Sequence, residues 1–417
     1  MIWILVGYMW LFLHRPFEIW PILGTIRLER CYMGLTLIVW CIASAKTWSG
    51  NRNNLPLCLI AFSIFISTLL SPYNGLGENL TTENWFKVFV FFLLIMTSVK
   101  TEKDLKTLVT AFSVCYFLYM LHSFWEFRCG KGVYRMGIWR MIGIDSTMND
   151  PNSFGNGINY ALAMILPLLA LAKEQMSKDI KRVLSAFIPC YVLLSCVCIM
   201  YTGSRSSFAT LGGSLLGLAL LSKQRVRIFI VLLIAAPCIW LATPERLKIR
   251  YISLFDPTVL EGQDMKGADE SAESRSVFFR MGIQIWKDNL PFGVGPEGFQ
   301  RINPAGLQSH NLYAQVLSEL GTLGAIAYLS LIFAIIANHL QAGQLYKRMK
   351  KQGREREALY LYRVSFAVAW ALFLLLVQGW GGHNAFRYTW VWYAAFQAIA
   401  IELLKQKADA LPNIAHS

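Results

Sequence analysis

The chain has 417 residues, of which 55% are hydrophobic and 15% charged, against roughly 25% charged in soluble domains, so a water-soluble fold is excluded and a polytopic membrane protein is expected. Its net charge of +14 is spread through short loops rather than gathered on one face, which favours anionic lipid headgroups over nucleic acid as a partner. The nine cysteines lie mostly in apolar segments and show neither a disulfide framework nor zinc spacing.

Taken in chain order, apolar segments that suit bilayer crossings of about 17–25 residues fall at approximately 1–13, 31–45, 55–70, 85–99, 107–127, 154–172, 183–202, 206–221, 226–242, 310–340, 363–380 and 388–404. They predict an all-α bundle of about twelve transmembrane helices, a single integral membrane domain over 1–417. The first segment is short, but no basic stretch precedes it and no small-residue cleavage site follows, so it reads as a retained helix. Lys46, Lys100, Lys103, Lys178, Lys181, Arg182, Lys347, Arg348, Lys350 and Lys351 fall on one side of this arrangement. The excess of positive charge in short loops predicts that both termini are cytoplasmic and that the long 243–309 segment lies outside.

Polar residues concentrate in the outer segments. The 128–153 loop ends in Asn149-Asp150-Pro151-Asn152-Ser153, turn chemistry leading into a helix capped by Asn152 or Ser153. Tyr201-Thr202-Gly203-Ser204-Arg205-Ser206 is a tight hairpin in which Ser204 or Ser206 can cap the next helix. Arg205 sits at that helix's positive end. It either helps to bind an anion there or extends to the headgroups.

The 243–309 loop predicts a helix from Ser274 to Asp288, with Val277, Phe278, Met281 and Ile285 on one side and Arg280, Gln284 and Lys287 on another. This pattern reads as an interfacial helix lying on the bilayer. The following Gly293-Val294-Gly295 is no nucleotide signature, because no strand precedes it. The acidic run Glu261, Asp264, Asp269, Glu270 and Glu273 reads as a solvated loop rather than a metal site, since no histidine or Asp-x-Asp pair accompanies it.

His310 stands where this loop meets a long apolar helix, and a titratable group at a membrane boundary points to chemistry there. Beyond it Asn311, Gln315, Ser318 and Glu319 form a polar stripe expected to face the bundle interior. Glu319 points away from His310 and reads as structural, and Gly321 and Gly324 suggest a smooth patch for a neighbouring helix. Among the other histidines, His122 and His339 are expected to be packed, His416 lies in the tail, and His14 can touch headgroups. His383, in Gly382-His383-Asn384, repeats the His-Asn pair and is expected to line the same cavity as His310.

The large outer loop, Gly-Ser-Arg at 203–205, Gly-x-Gly-x-x-x-Phe at 293–299 and His-Asn followed by Glu-Leu-Gly-x-x-Gly at 310–324 together resemble the O-antigen ligase and polymerase superfamily. The resemblance covers most of the chain, and its specific part runs from about Arg205 to Gly324. It implies a GT-C-like glycosyltransferase of the bacterial inner membrane with a periplasmic active site and no cofactor or metal. The implied donor is an undecaprenyl-pyrophosphate-linked glycan and, for a ligase, the acceptor is a sugar of lipid A core. The family's periplasmic histidine and two arginines fall on His310, Arg205 and Arg280, with Arg275 and Arg301 close to the last. Asn311, Arg140, His383 and Arg387 are second-tier candidates.

Such a reaction needs fixed cations to meet the charge developing on a pyrophosphate leaving group, which two arginines can supply. It also needs a base for the acceptor hydroxyl, which an imidazole of reference pKa near 6.5 suits. His310 is expected either to be that base or to hydrogen-bond a sugar or phosphate oxygen. O-antigen polymerases and protein O-oligosaccharyltransferases are the near alternatives. The latter often carry a sizeable domain after the last helix, and the short tail here argues against them. His14-Arg15-Pro16-Phe17-Glu18 also looks like a subgroup of O-glycosylation ligases linked to exopolysaccharide and sorting systems. A polysaccharide or lipid transporter fits the composition, but no internal repeat is visible and the polar residues gather on the outer side rather than at midplane.

Overall fold

The computed structural model describes residues 1–43, 46–48, 50–73, 80–135, 137–174, 177–221, 230, 233–234, 237–241, 243–253, 255–256, 259 and 270–410. The side chains at 80, 218, 220, 221 and 270–275 are excepted. Most of the predicted 226–242 segment, Glu261, Asp264 and Asp269, the side chains of Glu270, Glu273 and Arg275, and His416 lie outside the described residues.

Helices run in the order α1 (Ile2–His14), α2 (Pro16–Ile19), α3 (Pro21–Thr25), α4 (Leu28–Ile42), α5 (Asn54–Leu70), α6 (Leu80–Ser98) and α7 (Glu102–Arg128). A short ribbon of β1 (Val133–Arg135) and β2 (Ile138–Arg140) follows, then α8 (Pro151–Leu162), α9 (Ile165–Leu171), α10 (Lys178–Thr202) and α11 (Arg205–Leu221). After these come α12 (Glu245–Ile252), α13 (Glu270–Asp288), α14 (Gly298–Ile302), α15 (Leu312–Lys351), α16 (Glu355–Gly379) and α17 (Tyr388–Asp409). Five stretches among the described residues are long and apolar enough to cross a membrane: α7, α8 with α9, α10, α15 and α16. The chain is a multi-pass membrane protein.

The all-α expectation needs one correction. Val133 pairs with Arg140 and Arg135 with Ile138 in an antiparallel ribbon, whose alternating Ile138-Trp139-Arg140 buries the outer two residues and exposes the middle one, the period-2 pattern of a strand.

The centre of the bundle is formed by α8 and α9, which are buried on nearly every side, and by α17, where Trp390, Trp392, Tyr393 and Phe396 are enclosed. Outward-facing Phe62, Phe65, Leu118, Trp125, Leu329, Phe333 and Phe373 are exposed, as a lipid-facing surface requires. At one end Lys106 bridges Glu102 (2.7 Å) and Glu174 (2.6 Å), and Lys407 also pairs with Glu102, joining α7, the turn that follows α9, and α17. At the opposite end lie the ribbon, α12 to α14 and the turn at 380–387.

Helix α15 is broken at Gly321, which has φ 66° and ψ −161°, a conformation essentially confined to glycine. The break frees two carbonyls, and the Gly293-Val294-Gly295 turn satisfies them: Val294 N donates to Ser318 O and Gly295 N to Glu319 O, both at 2.9 Å. Ser67 Oγ also donates to Glu319 O at 2.5 Å. The glycines are needed because backbone meets backbone, and a Cβ on Gly321 would stand 2.1 Å from Pro291 O. Gly321 is therefore a helix break closed by a loop, which corrects the expected smooth patch for a neighbouring helix. Asn311, Gln315, Ser318 and Glu319 are all buried as expected.

Helix α13 begins at Glu270, four residues earlier than predicted. Much of its apolar face packs on protein. Phe278 and Ile285 pack with Val294 and Phe299, with Met281 beside them, and Gly282 abuts Ala314 of α15 so closely that a Cβ would lie 2.7 Å from the Ala314 Cβ. Val277 stays exposed.

Candidate active site

His310 is the last residue before helix α15. Asn311 caps that helix, its Oδ1 accepting from Tyr313 N at 2.9 Å and Ala314 N at 3.0 Å, while its Nδ2 donates to Trp380 O at 3.1 Å. The cap ties the helix start to the turn that follows α16. His310 itself has φ 47°, the left-handed region that a non-glycine residue occupies only when its surroundings impose it. Its half-buried ring lies 6.5 Å from the Phe278 ring and 5.2 Å from that of His383, between centroids.

The turn carrying His383 is firmly held. Ala385 N donates to Gln315 Oε1 at 3.2 Å, Tyr328 Oη donates to Ala385 O at 2.6 Å, and Trp390 Nε1 donates to Asn384 O at 2.9 Å. Burial first, then the neighbouring His310 and Arg387 charges, push the His383 pKa down to about 3, so this imidazole is neutral across the working pH range. A small recess lies against it, lined by Asn156, Tyr160, Asn384, Arg387 and Thr389 among others.

The α10–α11 hairpin forms a second focus. Gly203 turns the chain at φ 59°, and Ser204 Oγ caps α11 by accepting from Ser207 N at 3.4 Å. Two buried arginines grip the turn. Arg140 Nε donates to Thr202 O at 2.7 Å, and Arg250 Nε, from α12, donates to Gly203 O at 2.6 Å. Burial draws the Arg140 pKa down to about 10. Half-buried Arg205 reaches Ser253 Oγ at 3.5 Å. Arg250 was not singled out from the sequence, although Leu247 and Tyr251, both buried, share its short amphipathic helix, and that pattern is the signal that marks the segment as packed.

The two foci meet through α8. Ser207 Oγ lies 2.8 Å from Asn156 Oδ1, and Asn156 lines the recess beside His383. The cap of α8 is Asp150, which accepts from Asn152 N and Ser153 N, both at 2.9 Å, rather than Asn152 or Ser153 as predicted, because Pro151 takes the first helical position.

Arg387 borders the recess and donates to Thr147 O at 3.0 Å. Arg280 is exposed on α13, two residues from Phe278. Arg301 is exposed and donates to Tyr73 O at 2.9 Å, which gives it a structural tether. His14 is buried and bonded to His122, Nε2 to Nδ1 at 2.9 Å. The pair therefore holds α1 to α7, which corrects the headgroup reading of His14. Among the described residues no three His, Cys, Asp or Glu side chains converge on a metal-sized site.

Residues 190–329 match a family model described as O-Antigen ligase, a span that contains Arg205, Arg280, His310 and the broken helix at Gly321. Over this segment the chain is similar to the O-antigen ligase family. No curated protein matches the chain. The ligase family implies a glycosyltransferase-like enzyme of O-antigen processing that handles lipid-linked glycans in a membrane. His383 and Arg387 lie outside the matched span, Arg140 precedes it, and Arg250 lies within it.

Proposed function

We propose that this protein is an O-antigen ligase. It transfers a preassembled polysaccharide from undecaprenyl pyrophosphate to a sugar hydroxyl of lipid A core, on the periplasmic face of a bacterial inner membrane. The chain crosses that membrane about twelve times, with both termini in the cytoplasm and the 243–309 segment outside. The observation that carries this reading is the placement of His310. It is a half-buried imidazole in a constrained backbone at the mouth of a long apolar helix, between His383 and the helix bearing Arg280, inside the segment that matches the ligase family.

In the proposed reaction the acceptor hydroxyl oxygen attacks the anomeric carbon, and the bond from that carbon to the pyrophosphate oxygen breaks. Undecaprenyl pyrophosphate leaves with the electron pair. The hydroxyl proton passes to His310, and displacement from the opposite face inverts the anomeric centre. Arg205 and Arg280 meet the charge on the leaving pyrophosphate, the guanidinium being suited to bidentate contacts with phosphate oxygens.

Arg205→Ala is expected to lower kcat/KM for the lipid-linked donor by about 100-fold, and Arg205→Lys to recover only part of it. Steady-state kinetics at varied donor concentration check this, and an unchanged kcat/KM would remove Arg205 from the site. The function itself is tested with purified protein in proteoliposomes containing the lipid-linked glycan, lipid A core and excess EDTA. A ladder of glycan on lipid A core supports the ligase. Lengthened lipid-linked donor makes the protein a polymerase, glycan on Ser or Thr of an added protein makes it a protein O-oligosaccharyltransferase, and movement of unaltered donor across the bilayer makes it a transporter.

A further inference from the structure

The recess behind His383 contains polar atoms that the reaction above does not use. His383 Nδ1, Asn384 Oδ1 and Thr389 Oγ1 are buried with no hydrogen-bond partner among the described residues, and all three residues line this one recess. Asn384 and Thr389 are only 5% and 3% exposed. Buried polar atoms are nearly always paired, so three orphans around one hollow mark a place built for a polar group.

The set of atoms selects the chemistry. Asn384 Nδ2 is committed to Tyr160 Oη at 3.0 Å and Leu375 O at 2.9 Å, which fixes the amide orientation and leaves Oδ1 as an acceptor. An anion would be repelled by that oxygen, and a cation by Arg387 at the wall. The Thr389 hydroxyl and a neutral imidazole can each donate or accept. A hydroxyl group matches this set in kind, since it can donate to Asn384 Oδ1 and accept from Thr389 or His383. The enclosed part of the recess has room for about one water-sized group, which admits one hydroxyl substituent and not a whole sugar ring.

We infer that this recess is a subsite for a single sugar hydroxyl, which seats one of the two glycan substrates against the His383 side of the centre at His310. The inference rests on the glycosyl-transfer reading above. The hydroxyl belongs either to the acceptor sugar or to the donor glycan, and these two sources separate experimentally.

Thr389→Val keeps the shape of the side chain and removes only the hydroxyl. In the proteoliposome assay it is expected to raise KM for one glycan substrate by about tenfold while kcat stays within about threefold. His383→Leu should move the same KM, and His383→Gln should restore much of it. A shift in acceptor KM assigns the hydroxyl to lipid A core, and a shift in donor KM assigns it to the transferred glycan. Both KM values remaining within about twofold in Thr389→Val would mean that the recess holds water only and would overturn the subsite.

A binding measurement keeps this result separate from the parent reading. Core oligosaccharide or released donor glycan should protect the wild-type protein against thermal unfolding, and should protect Thr389→Val less. Protection that differs in this way without any turnover by the wild type upholds the subsite and sinks the transferase. Equal protection of both proteins, or protection of neither, sinks the subsite.

Discussion

His310→Ala is expected to lower kcat for glycan transfer by about 1000-fold, within the 10²–10⁴ range typical of a lost general base, while KM for the donor changes by less than about threefold. The split follows from the geometry. His310 lies at the start of α15 with its ring against Phe278 and His383, whereas the leaving pyrophosphate is assigned to Arg205 at the start of α11 and Arg280 on α13, so donor binding and proton removal depend on different side chains. His310→Gln keeps a hydrogen-bonding group and cannot accept a proton near neutral pH. If His310 only held a sugar or phosphate oxygen, the Gln variant would retain most of the rate. A Gln variant as slow as the Ala variant supports the base.

The backbone of the variant should survive this change. Asn311, rather than His310, caps α15 and anchors it to Trp380. Thermal unfolding in detergent should therefore place His310→Ala within a few degrees of the wild type, and a normal melting profile must accompany the loss of rate.

Gly321→Ala is expected to be the most damaging single substitution on structural grounds. At φ 66° and ψ −161° an alanine carries backbone strain of about 1–3 kcal/mol, and its Cβ would stand 2.1 Å from Pro291 O and 2.6 Å from Gly293 N. Relief requires the 291–295 turn to withdraw, which also breaks the bonds from Val294 N and Gly295 N to α15. A total beyond about 4 kcal/mol places the variant among the rare severe cases. Purification should yield little monodisperse protein. A Gly321→Ala protein with a melting temperature within about 2 °C of the wild type would show that the break at this glycine is not required.

Much of the fold was legible because membrane segments announce themselves by length and composition. The polar stripe Asn311, Gln315, Ser318 and Glu319 could be placed inside the bundle from spacing alone, and all four are buried. What spacing could not show was contact between distant segments. Gly321 looked like a packing glycine because nothing local says that residues 293–295 will pair with the carbonyls of Ser318 and Glu319. The apolar face of α13 suited a bilayer as well as it suits Val294 and Phe299.

The site shows the same division. His310 and Arg205 stood out at element boundaries, where polar residues beside apolar helices have few structural explanations. Arg250 did not, because its partner is the carbonyl of Gly203, 47 residues away in sequence, and a backbone acceptor leaves no mark on composition. The pairing of His14 with His122 is hidden from the sequence for a similar reason. Their hydrogen bond joins α1 to α7 across 108 residues, and only the packing of those helices reveals it.

The most direct test of the proton-transfer role is chemical rescue of His310→Gly by free imidazole. Purified variant in proteoliposomes with the lipid-linked donor and lipid A core would be assayed at rising imidazole concentration and at several pH values. The account predicts a transfer rate that climbs with the concentration of unprotonated imidazole while Arg205→Ala stays unresponsive. A His310→Gly protein that binds donor normally and shows no imidazole dependence would contradict it.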